Sequence, residues 1–285
     1  MGEEWGWLSV TICSVLGAIV GSFIGTLVQR LPQGRDIVRA PSACDHCGRR
    51  LHGLELVPVL AWLALRGRCR TCRGALDRWQ LVSEILGAGV GAGAALMPLP
   101  ARLPAMALGW QLLALGLLDA RCFWLPRGLT LALGASGLAL SAWFEFGPKS
   151  GLASGFASGF ASGPAFGSRG ESLLTGSVFA GSALGCVAGY ALLAVPAWAY
   201  QKCRGREGLG GGDPFLLGAI GAWAGVVGVV VIMLAASLLG LLLAIIWVLS
   251  GRRVEASTIL PLGSLMAVAA WPTCLGLAML QLRAW

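Results

Sequence analysis

The sequence predicts an all-α polytopic membrane protein of about eight transmembrane helices, with a cytosolic loop domain between the first two. Three observations lead there. The chain is 56% hydrophobic and only 12% charged, whereas water-soluble domains are about a quarter charged. Its apolar stretches are long enough to cross ~30 Å of hydrocarbon as helix. Its basic residues are segregated: 17 of the 21 Lys and Arg fall in the segments 29–79, 119–127, 200–213 and 251–257. Cytoplasmic loops carry such an excess, so the amino terminus is placed outside and these four segments in the cytosol. The net charge of +8 then reads as positive-inside loops and excludes nucleic-acid binding as its main purpose.

The spans follow in order. Residues 8–28 carry no charge, and Gly17, Gly21 and Gly25 recur every fourth position, giving one smooth face for close helix packing. Residues 1–7 hold Glu3 and Glu4 and no basic stretch, so this run reads as a retained span and not a cleaved signal. Further spans read over 79–99, 106–118, 128–144, 172–198 and 259–282, with Pro98, Pro100 and Pro104 marking the turn between the first two of these. The run 215–250 is too long for one span and reads as two, with a tight turn near Ala235-Ala236-Ser237. Segment 147–171 is different. It repeats Ser-Gly-x-Ala four times from Ser150 to Ala165, which reads as an expanded flexible loop. The chain thus divides into an amino-terminal domain, 1–99, and a membrane-embedded domain, 100–285.

Four of the nine cysteines are clustered in the 29–79 loop, as Cys44-Asp45-His46-Cys47 and Cys69-Arg70-Thr71-Cys72. Two Cys-x2-Cys knuckles supply four thiolates for one tetrahedral zinc ion. Two disulfides are the competing reading, which a cytosolic loop disfavours. Gly48 and Gly74 follow the knuckles, as tight turns require. With four sulfurs filling the shell, His46 and His52 read as solvated loop residues. Cys13, Cys122, Cys186, Cys203 and Cys274 are scattered and read as packing residues.

Acids are rare in this chain, so those at membrane boundaries are functional candidates. Asp213 closes the run Gly208-Leu209-Gly210-Gly211-Gly212 and opens a long apolar stretch; Asp119 ends an earlier one. The assigned topology puts both at the cytosolic boundary. Gly210 and Gly212 let the backbone approach a substrate chain closely. Glu84, near the start of the second span, reads as a structural or substrate-contact residue. Two carboxylates held close share one proton and one water: the charged one draws a proton from the water while the other polarises a carbonyl. That is aspartic protease chemistry, with no metal in the reaction.

Residues 205–225, Gly-Arg-Glu-Gly-Leu-Gly-Gly-Gly-Asp-Pro-Phe through Gly225, resemble the signature of the bacterial prepilin peptidases, intramembrane aspartyl proteases of the Gly-x-Gly-Asp type. Gly21-Ser22-Phe23 with Arg30-Leu31-Pro32, the double Cys-x2-Cys and Glu84 resemble that family's amino-terminal domain. Asp119, seven residues before Pro126, matches its first catalytic aspartate and Asp213 its second. The resemblance implies an enzyme of the bacterial inner membrane, multi-pass, its active site facing the cytosol. It implies cleavage of the basic leader of type IV prepilins or pseudopilins, then methylation of the new amino terminus from S-adenosylmethionine. Departures from the family pattern are Arg127 (usually Asp or Asn), Gly25 (usually Asn) and Phe215 (commonly Lys). Two other readings compete. An ion- or proton-coupled transporter would use the two aspartates as ion ligands, but no inverted repeat is visible. A non-catalytic membrane assembly subunit would keep the zinc loop alone.

Overall fold

The computed structural model describes residues 2–37, 39, 42–44, 46–146, 177–206, 209–251 and 260–283. The Ser-Gly-x-Ala repeat lies outside them. Helices make up almost all of the regular structure: α1 (Gly2–Arg30), a short α2 (Leu60–Ala64), α3 (Arg78–Ala95), α4 (Leu99–Cys122), α5 (Arg127–Phe146), α6 (Val178–Arg204), α7 (Asp213–Leu249) and α8 (Leu262–Arg283). Among the described residues the only extended pairings are two isolated bridges, Ala43 with Arg50 and Arg68 with Ala75. Among the described residues six helices are long and apolar enough to cross a membrane: α1 and α4 to α8. They expose rows of large apolar side chains, such as Leu8, Ile12, Val15, Ile19 and Phe23 along α1. That is the surface of a helix bundle solvated by lipid, and the protein is a multi-pass membrane protein.

Hydropathy alone counts about eight spans, and the difference has a physical cause. The stretch read as two spans with a turn at Ala235-Ala236-Ser237 is helical through that point. The break lies earlier, at Gly225, where φ is 66° and ψ −178°. Only glycine adopts that backbone without strain. A Cβ on Gly221 would lie 3.0 Å from Val229 Cγ2; along a straight helix eight residues span ~12 Å. The chain therefore folds back at Gly225. Residues 213–224 make only ~18 Å of helix, too short to cross the bilayer, while 226–249 make ~36 Å. In the other half, α3 has 18 residues and is not among the six. Pro100 and Pro104, expected in a turn, fall within α4; the first sits where a helix tolerates proline.

The chain forms two compact units, residues 1–117 and 118–285, the boundary falling within α4. In the first, α1 and α3 pack at backbone contact. Side chains on Gly17, Gly21 or Gly25 of α1 would strike Gly87, Ser83 and Gln80 of α3, and one on Gly91 would strike the Cys13 carbonyl. The four-residue glycine spacing thus does what small-residue stripes do in membranes. Asp77 caps α3, its carboxylate accepting the Trp79 N–H at 3.0 Å.

In the second unit, α6 and α7 pack equally closely. A Cβ on Gly189 would lie 2.5 Å from the Leu217 carbonyl oxygen, and one on Gly185 would lie 2.6 Å from Gly225 Cα, so Gly185 seats the break. Trp223 Nε1 donates to the Leu133 carbonyl at 2.8 Å, tying α7 to α5. Ser177 caps α6 and donates to Glu145 at the end of α5 at 2.6 Å.

The contrast between two glycines of α3 tests the packing. Gly91→Ala is expected to lower stability by about 1–3 kcal/mol, because backbone has no room to yield. Gly89→Ala, with nothing within 4 Å of its Cβ position, is expected to be neutral or to stabilise by up to ~1 kcal/mol. Thermal unfolding of the two variants in detergent measures both.

Candidate active site

In the second unit four chain segments converge on one end of the bundle: the last turn of α4, the link 123–126, the first turn of α7 and the first turn of α8. Asp119 lies one turn before the end of α4, whose last residue is Cys122. Phe123 stops that helix in the left-handed region, φ 50°, its N–H returning to the Asp119 carbonyl at 2.8 Å. Asp213 is the first residue of α7, with Pro214 suited to the first turn. Both carboxylates are buried, 5% and 8% exposed, and the Asp119 charge is felt at Asp213.

Three residues set this approach, and hydropathy did not single out any of them. Ser264, in the first turn of α8, donates twice to Asp119 Oδ2, from its N–H at 2.6 Å and its Oγ at 2.9 Å. A Cβ on Gly263 would lie 3.0 Å from Asp119 Cγ and from Leu125 Cδ1. Leu125 is the wedge: a Cβ on Gly212 would lie 2.8 Å from Leu125 Cβ. One side chain thus touches the starts of both α7 and α8. The signal available in the sequence was Pro261-Leu262-Gly263-Ser264, a small, polar helix start at the same end of the bundle as the acids.

The glycine run before Asp213 divides by role. A Cβ on Gly210 would lie 3.0 Å from Asp213 Oδ2, and Gly210 also accepts the Asp213 N–H at 3.1 Å. Gly212 abuts Leu125. Gly211 has open space around it. Glu84 belongs to the first unit. It is 5% exposed; its Oε2 accepts the Val59 N–H at 2.7 Å and its Oε1 a Gln80 side-chain N–H at 2.8 Å. Val59 has φ 62°, a rare backbone for a β-branched residue, and Glu84 holds it there.

Also in the first unit, Cys44, Cys47, Cys69 and Cys72 bring all four sulfurs within 4.8 Å of one another, close enough to ligate one metal ion. Cys44 Sγ and Cys72 Sγ are 3.7 Å apart. A disulfide is ~2.05 Å long; a tetrahedron with ~2.3 Å metal–sulfur bonds has edges of ~3.8 Å. The knuckles are built alike. Cys44 N–H bonds to the Arg49 carbonyl and Gly48 N–H returns to Cys44; Cys69 N–H bonds to the Gly74 carbonyl and Arg73 N–H returns to Cys69. The left-handed residue is Gly48 in the first, φ 67°, but Arg73 in the second, φ 57°. Gly74, expected as the turn residue, is needed instead because a Cβ there would lie 2.6 Å from the His46 ring. Backbone N–H groups of Cys72 and Thr71 pull the Cys69 thiol down to about 6, readying it as a thiolate. Neither histidine is in the sulfur cluster: His46 Nε2 lies 3.2 Å from the Ala75 carbonyl, and His52 caps a turn with Glu55.

A helical membrane bundle that buries two carboxylates at neighbouring helix ends defines a class, a multi-pass membrane protein with an acidic site where those ends converge. Residues 15–97 match the bacterial peptidase A24 N-terminal domain and residues 106–245 the type IV leader peptidase family. The chain belongs to that family. It is 31% identical over 288 residues to a prepilin leader peptidase/N-methyltransferase of Burkholderia pseudomallei strain K96243, covering 91% of this chain and 83% of the relative. It is 30% identical to proteins of the same description from Aeromonas hydrophila, over 93% of this chain and 90% of the relative, and from Pseudomonas putida, over 92% and 88%. No solved structure matches it.

Two of the departures from the family pattern are neighbours. The Arg127 guanidinium sits 5.8 Å from the centroid of the Phe215 ring, a cation–π contact. A double-mutant cycle with Arg127→Gln and Phe215→Leu is expected to show a coupling of ~0.5–1 kcal/mol in unfolding free energy. Strict additivity would mean that the two positions changed independently.

Proposed function

We propose that this chain is a membrane aspartic endopeptidase that removes the leader of type IV prepilins or pseudopilins at the cytosolic face of the bacterial inner membrane, and then methylates the new amino terminus. The observation that carries the peptidase reading is the meeting of Asp119 and Asp213, both buried, around Leu125. Family membership and the printed activity of the relatives support the same reading. Nothing in the site favours an ion pathway over it.

In this reading Asp119 and Asp213 are the catalytic pair. Ser264 fixes one oxygen of Asp119, leaving the other to take a proton from a water held between the acids. That water's oxygen attacks the scissile carbonyl. Asp213 gives the carbonyl oxygen a hydrogen bond as its negative charge grows, and the amine leaves with a proton relayed through the pair. The pair titrates as one unit. Gly210 keeps the space beside the Asp213 carboxylate free of a side chain, and Gly211, with open space around it, is where an extended substrate can approach. A basic leader suits a face carrying 17 of the 21 Lys and Arg only if acids receive it locally, and the buried pair lies there.

Cys44, Cys47, Cys69 and Cys72 hold a structural zinc ion, which stabilises the folded loop directly. The methylation step draws on S-adenosylmethionine, which supplies a methyl group on a positively charged sulfur.

Asp119→Asn and Asp213→Asn should each abolish leader cleavage, by at least ~1,000-fold, and the double variant should be no worse, since groups acting as a unit are not additive. Asp→Glu at either position should fail too, because a ~1 Å displacement is costly in such chemistry. The assay is processing of a prepilin whose mature end begins with phenylalanine, by membranes holding equal amounts of each variant. Clear processing by either Asn variant defeats the reading. Elemental analysis of purified protein should find about one zinc per chain, lost with serine at any of the four cysteines; a zinc-free, fully folded protein would remove the metal from the account.

A further inference from the structure

The zinc centre proposed above carries a charge that its four ligands do not balance. Four thiolates around one zinc ion leave a net charge of about −2. Two of the ligands, Cys44 and Cys69, are buried, 3% and 2% exposed. Buried charge is costly unless a partner of opposite sign or hydrogen-bond donors meet it. Backbone N–H groups of Cys72 and Thr71 donate to Cys69. Those are dipoles, and a cation is the missing part.

The cysteine loop is rich in arginine, and one arginine differs from the rest. Every arginine from Arg50 to Arg78 is exposed, whereas Arg49 is half-buried. Arg49 follows Gly48 directly and its carbonyl accepts the Cys44 N–H at 2.9 Å, so its backbone is part of the first knuckle. Its side chain goes to the second: the guanidinium meets the Cys69 side chain both as hydrogen-bond donor and as charge. On its other side Arg49 Nη2 lies 2.6 Å from Glu55 Oε1. Glu55 and Cys69 stand on the wall of the cleft between α1, α3 and the cysteine loop, and Arg49 bridges them. Arg49 Nε is shielded from water and has no acceptor among the described residues. Burying a donor unused is costly, and a single carboxylate does not account for it. A metal–thiolate cluster, negative once loaded, offsets that cost.

We propose that Arg49 is the counter-ion of the zinc centre, a positioning residue that ties the first knuckle to a sulfur of the second and so helps the loop retain its metal. Glu55 orients the guanidinium and is not itself needed for metal retention. The proposal rests on the zinc reading above.

The test uses the full-length chain in detergent. Competition with a chromophoric chelator measures zinc affinity for the parent, Arg49→Gln, Glu55→Gln and Arg68→Gln. Arg49→Gln should bind zinc about 10–100-fold more weakly, the usual cost of losing a group that hydrogen-bonds to a metal ligand. Arg68→Gln removes the same charge from an exposed position, and Glu55→Gln keeps an acceptor for Arg49. Each should stay within about threefold of the parent. With cobalt in place of zinc, the sulfur-to-cobalt charge-transfer band of Arg49→Gln should move to longer wavelength, because a thiolate that loses a hydrogen bond releases its electrons more easily. A variant that only loosened the loop would lose intensity without that shift. The unaltered protein supplies a measurement free of any folding defect. In its cadmium-113 form, NMR coupling across N–H···S should link the metal to the Arg49 side-chain protons, and also to the backbone N–H of Thr71 and Cys72. Three results would each overturn the proposal and leave the zinc centre standing: zinc held equally by Arg49→Gln and the parent, an equal loss in Glu55→Gln and Arg49→Gln, or coupling to Thr71 and Cys72 without coupling to Arg49. A reduced parent that holds no zinc would overturn the zinc centre itself, and the role of Arg49 with it.

Discussion

Two acidic side chains, each buried and each in the other's field, are the constraint around which the second unit is built. Like charges out of water repel strongly, and among the described residues no salt bridge to either is seen. What holds them is backbone. Asp119 sits at the start of α8 and receives the Ser264 N–H and hydroxyl, so an amide and a hydroxyl do the work a cation would do elsewhere. Leu125 fills the space between the starts of α7 and α8, and Gly212 and Gly263 exist as glycines because that leucine is there. The fold-back at Gly225 belongs to the same logic. Residues 213–224 need not cross the membrane; they present Asp213, bury Trp223 against α5, and hand the chain to a second, full-length helical run that starts from inside the bundle.

The first unit solves a similar problem with different means. Its loop carries ten of the chain's arginines, too charged to bury and too short of apolar residues to form a core of its own. The four sulfurs supply the missing centre. Around them the two knuckles repeat one hydrogen-bond scheme, and the repetition holds even where the turn residue is Arg73 instead of glycine. Glu84 then ties this loop to α3 through the strained Val59. A single buried carboxylate thus connects α3 and the cysteine loop, and the cleft beside it is the consequence of that junction.

Sequence departures are informative when their neighbours are known. Gly25 replaces a side chain in a place where, here, a Cβ would lie 2.5 Å from Gln80 Oε1. The close crossing of α1 and α3 leaves no room there for a side chain. Arg127 and Phe215 are 88 positions apart yet in contact, so neither departure is understood without the other.

The amino-acid sequence by itself determined the fold class, because apolar runs and basic loops are properties of composition and order. It also picked out the four cysteines that cluster, because Cys-x2-Cys brings two sulfurs together from one turn whatever the rest of the chain does, and it nominated both aspartates, because charge at a membrane boundary is rare and costly. It did not determine where the long run 215–250 folds back. Hydropathy is uniform there, and the break falls where Gly185 on another helix leaves room for a glycine with positive φ. Nor did it nominate Ser264, Gly263 or Leu125, which matter only because the ends of three helices meet. Its reading of Glu84 stayed divided between structure and substrate, since a lone acid near a helix start says nothing about its partners. Those partners, Val59 and Gln80, come from the loop and from one helical turn away, and only tertiary packing brings them to the same carboxylate.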